Sequence, residues 1–234
     1  SNWNSTVAGG AAAGAAPDYQ TNVTFSTTTP TPTTLTTNVV DTDFDINSLT
    51  FNSLTGGVTI GGTKMLTIEA TNANSNTSGN GITSSNTSAT NTISAKIGLA
   101  ANQTWTVASG GTLVASGGVS DFGAGYTLTK AGAGTLALSG ANTYTGTTTV
   151  TTGTLKIGNG STGGSLSTSS DIAIGTGATL QIDRSNAVTQ GVDFTRAPIS
   201  GLGKIVKSAA GLLTLNGANT FSGGLTINQN GGGV

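Results

Sequence analysis

One phrase occurs twice in this sequence. The stretch GAGTLALSGANTYTG, residues 132–146, returns as AAGLLTLNGANTFSG, residues 209–223. When Lys130 is aligned with Lys207, the two copies keep register without a gap through Val150 and Ile227. Self-similarity at a fixed spacing is typical of stacked units that cannot bury their apolar faces alone. The repeat therefore predicts an array of similar coils.

Strand signals fill most of the chain. Short runs alternate apolar and polar residues, as in MLTIEA (65–70), TWTVAS (104–109) and TLQID (179–183), and they commonly end at Gly or Asn. Period-two alternation predicts strands with the apolar residues inside and with Thr, Ser, Lys or Asp outside. Helical periodicity is nearly absent, and the Ala-rich stretch 11–16 is interpreted as a loop because glycines and Pro17 crowd it.

Many short strands fit either an antiparallel sandwich or barrel, or a solenoid. The fixed repeat favours the solenoid, in which coils stack about 4.8 Å apart and small residues suit the close spacing. We therefore predict an all-β fold, a parallel β-helix (β-solenoid) over residues 41–234, with repeat copies near 130–155 and 207–234. Trp105 alternates with Val107 and is assigned to the core.

Within each copy of the repeat the residue types indicate separate roles. We expect the leucines to face the core, the glycines to form corners with positive φ, the asparagine to lie in a turn and the aromatic residue to plug the core. Contact with a glycan or ligand is the alternative role for the asparagines. The assigned repeat positions are Gly134, Leu136, Leu138, Gly140, Asn142, Tyr144, Gly146, Gly211, Leu213, Leu215, Gly217, Asn219, Phe221 and Gly223.

These residues resemble the autotransporter-associated β-strand repeat family, also called the passenger-associated transport repeat. Residues 132–155 match its pattern almost fully, and residues 211–227 match it with changes such as Leu212 in place of the usual Thr. The segments 101–113 and 44–52 are similar to stretches that commonly precede the repeat. The resemblance implies an exported bacterial protein, outside the cell or on its outer surface, with a right-handed parallel β-helix. It implies no particular activity.

Composition excludes several classes of partner. Charged residues make up 7% of the chain and the net charge is −1, so there is no electrostatic case for binding nucleic acid or an anionic membrane. No apolar run approaches the roughly 20 residues of a spanning helix, so we expect no membrane insertion by this segment. The sequence contains no Cys and no His, and the lack of cysteine is a habit of some exported bacterial proteins.

Candidates for catalysis are few. Asp183, Arg184, Asp193 and Arg196 form a mixed-charge cluster, which is interpreted as a surface ion pair in preference to a catalytic group. Acid–base chemistry on saccharides uses paired carboxylates or His, whereas Glu69 is the only glutamate here and the aspartates are mostly isolated. We therefore assign no catalytic residue and no cofactor, and we expect the protein not to be an enzyme.

A metal site has one weak candidate. Asp41, Asp43 and Asp45 lie on one strand face in DTDFDI, and carboxylate oxygens suit Ca²⁺. An EF-hand is excluded because Asn52 stands where that loop requires Glu. The alternative is a set of solvated acids that keep an edge strand from pairing.

The two ends of the chain differ from the repeat. Residues 1–40 are Ala/Gly-rich and then Thr/Pro-rich, which predicts an irregular cap over the first coil or an arm that packs on a neighbouring molecule. Trp3 is assigned to that cap. At the other end, Val234 falls within a repeat and no polar cap follows. Either the segment belongs to a longer chain, or another copy stacks head to tail on it.

Three functions fit these observations. The first is a non-catalytic extracellular structural solenoid of a bacterial surface, which stacks head to tail into a fibre. The second is an adhesin passenger that binds a glycan or a protein, for which an exposed aromatic row would be the sign, and the sequence shows none. The third is a carbohydrate-active enzyme, which requires a carboxylate pair. The expected partner is a second copy or the rest of a longer chain, with a surface glycan or host protein as the alternative.

Overall fold

The computed structural model describes residues 18–26, 38–52 and 56–228. Within these residues the backbone forms short strands and one 3₁₀ turn, Ala73–Ser75, and no α-helix. The strands are β1 (Asn22–Ser26), β2 (Asn38–Val40), β3 (Phe44–Ile46), β4 (Ser48–Asn52), β5 (Thr59–Gly62), β6 (Met65–Ile68), β7 (Asn80–Ser84), β8 (Thr90–Ile93), β9 (Lys96–Leu99), β10 (Gln103–Val107), β11 (Thr112–Ala115), β12 (Val119–Ser120), β13 (Leu128–Ala131), β14 (Thr135–Leu138), β15 (Thr148–Val150), β16 (Thr154–Ile157), β17 (Ile172–Ile174), β18 (Thr179–Ile182), β19 (Val188–Thr189), β20 (Ser200–Gly201), β21 (Lys204–Lys207), β22 (Leu213–Thr214) and β23 (Leu225–Ile227).

The strands stack into a parallel β-solenoid. The first sheet has eight strands in the order β1-β4-β7-β10-β13-β15-β17-β20, and the second has nine in the order β2-β5-β8-β11-β14-β16-β18-β21-β23. A third sheet, β3-β6-β9-β12, flanks the earlier coils, and β19 pairs with β22 in the later ones. Neighbouring strands in these sheets run parallel, so each coil lies on the one before it. The predicted all-β parallel β-helix is confirmed, with about eight turns; its right-handed winding stays a prediction.

A column of aliphatic side chains runs through the second sheet. Leu113 pairs in register with Leu136, Leu136 with Leu155, Leu155 with Leu180, and Leu180 with Ile205. All five side chains are fully buried. Because side chains alternate between the two faces of a strand, this register places each apolar residue of the repeat directly on its counterpart in the next coil.

Aromatic residues fill the earlier part of the interior. Phe25 and Phe51 are register partners in the first sheet, and their rings stack with centroids 5.7 Å apart. Trp105 is fully buried, so its assignment to the core is confirmed, and its indole N–H donates to Gln103 Oε1 at 3.0 Å. Burying the large ring without an unpaired N–H explains how Trp fits among so many small residues.

The first coil begins before residue 41. Strand β1 pairs with β4, and β2 pairs with β5, so the described parts of residues 1–40 already belong to the solenoid. The division at residue 41 therefore falls inside a coil. Trp3 and the Pro-containing stretch 27–37 lie outside the described residues, and the cap or arm stays a prediction. No helix among the described residues is long and apolar enough to cross a membrane.

Adjacent residues of β11 provide a matched test of the inward column. We expect Leu113→Ala to cost about 2–5 kcal/mol of unfolding free energy, because it opens a cavity between coils. Val114 points outward from the same strand and is half-buried, so Val114→Ala should cost about 1 kcal/mol or less. Urea titration followed by circular dichroism measures both midpoints, and equal losses would contradict the assigned register.

Candidate functional site

The assigned repeat residues form the interior of the solenoid. Leu136, Leu138 and Tyr144 of the first copy are fully buried between coils. In the second copy Leu213 is buried, whereas Leu215 and Phe221 are only half-buried. The first copy has described coils on both sides, and the second lies in the last described coil. The leucines and aromatics therefore build the core, and those of the first copy offer nothing to a ligand.

The repeat glycines are explained by close approach between coils. A Cβ at Gly134 would lie 2.1 Å from the carbonyl oxygen of Ala108 in the previous coil, and a Cβ at Gly211 would lie 1.7 Å from that of Asn186. Neither position has a positive φ, and the same holds for the other assigned repeat glycines. Our expectation that these glycines serve a positive φ is therefore wrong. A side chain at either position would collide with backbone that cannot move aside.

The repeat asparagine ties three coils together. Asn142 Oδ1 accepts from the Val119 N–H at 3.1 Å, and its Nδ2 donates to the carbonyls of Gly140 at 2.9 Å and Ser165 at 2.7 Å. Both amide hydrogens are thus used by carbonyls, and the side chain is 2% exposed. These bonds favour the turn role over contact with a glycan or ligand.

Asn219 occupies the equivalent position in the second copy. Its amide forms a reciprocal pair with Gln190, with both N···O distances 2.9 Å. Its Oδ1 also accepts from the Ile199 N–H at 2.7 Å. The side chain is half-buried, and its bonds again go to a neighbouring coil.

Tyr144 heads a buried chain of hydroxyl groups. Its Oη lies 2.7 Å from Thr148 Oγ1, which lies 2.8 Å from Ser170 Oγ, and Ser170 donates to the Gly146 carbonyl at 2.8 Å. Burial raises the pKa of Tyr144 well above its usual value, although the hydrogen bonds oppose the shift. The phenol therefore stays neutral and serves as a structural bridge between coils.

Two lysines face inward, so our expectation that strand lysines lie outside is wrong for them. Lys130 and Lys207 are fully buried at the same position of the two repeat copies. Lys130 Nζ donates to the carbonyls of Ala131 at 2.8 Å, Gly132 at 2.7 Å and Thr152 at 3.2 Å. Burial lowers the pKa of Lys130 to about 8. The sequence already indicated this orientation, because Lys130 lies two residues after the buried Leu128 in the same strand and therefore on the same face.

Lys207 repeats this arrangement one copy later. Its Nζ donates to the carbonyl of Arg184 at 3.0 Å and to that of Ala209. Burial lowers its pKa, and the nearby charge of Asp183 opposes that shift. Both ammonium groups satisfy carbonyls at a corner, where the regular ladder ends.

The mixed-charge cluster divides into two ion pairs. Arg184 lies 2.7 Å from Asp193 with only 8% of its side chain exposed, and Lys156 lies 2.5 Å from Asp183. Burial opposes ionisation of Asp183, but hydrogen bonds from Lys156 and Ser208 outweigh it and hold the pKa of its carboxyl below the usual value. The interpretation as a surface ion pair is therefore wrong for Arg184. Arg196 is exposed and lies outside both pairs.

The three aspartates do not assemble a metal site. Asp41, Asp43 and Asp45 are all exposed, and across residues 18–26, 38–52 and 56–228 no three Asp, Glu, His or Cys side chains are grouped so as to hold an ion. Asp43 Oδ1 accepts from the Met65 N–H at 2.9 Å. Asp45 lies close to Glu69, whose pKa is raised first by burial and then by the charge of Asp45.

Asp121 is a structural carboxylate that the sequence reasoning missed. It is fully buried after β12, and it accepts from the backbone N–H groups of Gly123 at 3.0 Å, Gly125 at 2.8 Å and Tyr126 at 3.1 Å. It also accepts from the N–H and hydroxyl of Thr145 in the next coil, at 2.9 and 3.0 Å. Burial opposes ionisation, but these hydrogen bonds outweigh it and hold the pKa of Asp121 below its usual value.

Acid titration tests the role of Asp121. Its lowered pKa means that the carboxylate stabilises the fold above pH 3.8, the ordinary value, and that this contribution is lost as pH falls through the lower folded value. We expect Asp121→Asn to cost about 1–3 kcal/mol at neutral pH, with the gap to the native chain closing in acid. Urea midpoints from neutral pH down to about pH 2.5 measure this. Asp171→Asn, at an exposed site, is the matched control, and parallel curves for Asp121→Asn and the native chain would contradict the assignment.

Comparison with known proteins agrees with the geometry of the repeat. Two segments match the model of the passenger-associated-transport-repeat family, residues 128–157 and 205–232. The first match begins with β13 and ends with β16, and the second begins within β21. No solved structure matches the chain.

A curated relative is similar to part of the chain. Over 146 residues, 50% of this chain, the sequence is 36% identical to the adhesin BmaC autotransporter of Brucella suis biovar 1 (strain 1330). The chain spans 4% of the length of that protein. Two segments of the chain therefore match the passenger-associated transport repeat, and half of the chain is similar to a segment of an autotransporter adhesin.

Proposed function

We propose that this chain is a segment of an extracellular bacterial adhesin passenger, a non-catalytic β-solenoid whose outer surface binds a glycan or a protein. The observation that carries the proposal is the similarity to an autotransporter adhesin, together with the two passenger-associated transport repeats. The place of the chain at the cell surface or outside the cell is part of the same proposal.

The arrangement of polar groups supports a role in binding without catalysis. Three of the buried ionised groups, Lys130, Lys207 and Asp121, donate to or accept from backbone groups. Among the described residues, Asp183 and Asp193 are engaged in ion pairs. These side chains hold coils together, so the surface that remains for a partner is the outer face of the strands and the loops between them.

An adhesion assay tests this function. Microspheres that carry the purified chain should be retained on panels of immobilised glycans and extracellular matrix proteins several-fold more than microspheres that carry albumin. Specific binding should saturate, and free chain should compete for it, because the number of sites is limited. Retention equal to that of albumin across the whole panel would contradict the adhesive function.

Head-to-tail self-assembly is a second candidate, and the surface that it would use is the last described coil. Leu212 and Leu225 are 46% and 40% exposed, and β23 pairs with β21 and with no other described strand. Tyr144 is fully buried, whereas Phe221, at the equivalent position of the second copy, is half-buried. A paired, covered edge is the usual state of a parallel sheet. Either a further coil of a longer chain or a second copy stacked on this coil would supply it.

Negative-stain electron microscopy over a range of concentrations tests self-assembly. Stacking predicts fibres that lengthen with concentration, and Leu225→Asp should shorten or abolish them because it buries a charge at the contact. Val192→Asp is the matched control, since Val192 is 72% exposed in a loop beside β19. Single short rods at every concentration would contradict stacking and leave the adhesive function standing.

A further inference from the structure

The outer face of the third sheet has a gap in a row of side chains. Asp45, Thr67, Gly98 and Ser120 are successive register partners in β3, β6, β9 and β12. Asp45, Thr67 and Ser120 alternate with buried residues, which places the row on the outward face. Gly98 belongs to this row by register but is itself buried, with the ring of Phe122 against it. Gly98 is the one member of this row without a side chain, which leaves room above the sheet at that point.

The ring of Phe122 lies over this gap. A Cβ built on Gly98 would be 3.0 Å from Phe122 Cζ and 3.1 Å from Cε2, so the ring edge rests where a side chain of β9 would otherwise stand. The residue is nevertheless 64% exposed. Phe122 therefore contacts the sheet at one edge and presents most of its apolar surface to solvent.

The loop after β12 is built to hold this ring in place. Phe122 has φ +56°, a left-handed conformation that non-Gly residues rarely adopt. The neighbouring Asp121 carboxylate fixes the loop by accepting from Gly123, Gly125 and Tyr126, and it anchors the loop to Thr145 of the next coil. Such conformations persist where the surroundings over-determine them. An exposed phenylalanine held in this way is pre-organised for contact with a partner.

Phe122 forms one wall of a shallow groove whose charged groups are two lysines and one aspartate. The groove has a volume of about 470 Å³ and is also lined by Lys64, Lys96, Thr67 and Asp43. Two of the eight cationic residues of the whole chain thus lie here. Both lysines are exposed, and in the described ranges neither belongs to an ion pair. The carboxylate of Asp43 accepts from the Met65 N–H, so it is already partly engaged.

We propose that this groove binds an acidic saccharide through a uronic acid unit, an assignment that rests on the adhesive function proposed above. The apolar C–H face of the pyranose ring stacks on Phe122. The uronate carboxylate accepts charge-assisted hydrogen bonds from Lys64 and Lys96. The hydroxyl of Thr67 exchanges hydrogen bonds with the hydroxyls of the sugar.

The strand pairing beneath the groove favours a saccharide over an extended peptide. Strand β6 pairs with β3 and β9, and β9 pairs with β6 and β12, so both strands at the floor of the groove have their backbone groups engaged. A peptide that adds as a strand needs a free sheet edge. A saccharide needs an apolar platform with hydrogen-bonding groups beside it, which Phe122, Lys64 and Lys96 provide.

Calorimetric titration of the full chain with oligogalacturonate tests the proposal. We expect saturable binding that Phe122→Ala weakens by about tenfold or more. The double substitution Lys64→Gln with Lys96→Gln should weaken it similarly and reduce its dependence on salt. The matched controls are Val192→Ala and Lys204→Gln, at exposed positions away from the groove, and they should bind as the native chain does. Circular dichroism checks that each variant keeps the fold.

Four results would overturn the assignment, three of them from calorimetry. One is absence of binding to oligogalacturonate, and another is binding that Phe122→Ala leaves unchanged. The third is equal affinity for a control ligand. Equal affinity for the neutral methyl ester of the same oligosaccharide would show that the charge is irrelevant, and equal affinity for poly-glutamate would show that the sugar is irrelevant. Adhesion of microspheres that carry Phe122→Ala separates the two proposals: if they still adhere, the groove assignment fails while the adhesive function stands.

Discussion

The in-register stacking of parallel coils is the constraint on which the rest of this structure depends. Coils lie one strand spacing apart, about 4.8 Å, so each inward position meets its counterpart directly above and below. The column from Leu113 to Ile205 follows from this register. The same spacing leaves no room for a side chain at Gly134 or Gly211. The repeated phrase therefore reflects one geometric requirement, close stacking in register, that successive coils have to meet.

Stacking also decides what happens to polar groups at the corners, where the ladders end. Lys130, Asn142 and Asp121 are buried there, and each bonds backbone groups of an adjacent coil. A buried charge or amide without partners would cost far more than these bonds return. Among the described residues, Ser139 Oγ is the one buried side-chain oxygen or nitrogen without a partner. Because nearly all buried polar side-chain atoms of the described residues already have hydrogen-bond partners, binding of a partner is left to the outer surface.

That outer surface is unusual because it carries so little charge. With 7% charged residues in the chain, Lys64 and Lys96 are a local exception, because two lysines that form no ion pair with any described residue lie beside an exposed ring. The loop that presents Phe122 draws its rigidity from the same inter-coil bonding that stabilises the core, since Asp121 bonds both the loop and Thr145. A solenoid can therefore hold a surface feature firmly without a separate domain, and a groove on its side can vary while the ladder beneath stays the same.

The sequence by itself determined the strands, the parallel solenoid and the inward place of residues such as Trp105 and Leu136, because period-two alternation and a gapless repeat are local patterns. The same alternation places Lys130 on the inward face of its strand, but a lysine is expected outside until its carbonyl partners are known. Only the tertiary structure decided which residues meet across coils. Gly98 and Phe122 belong to successive coils, and the length of the intervening coil, not any local pattern, brings the ring over the glycine.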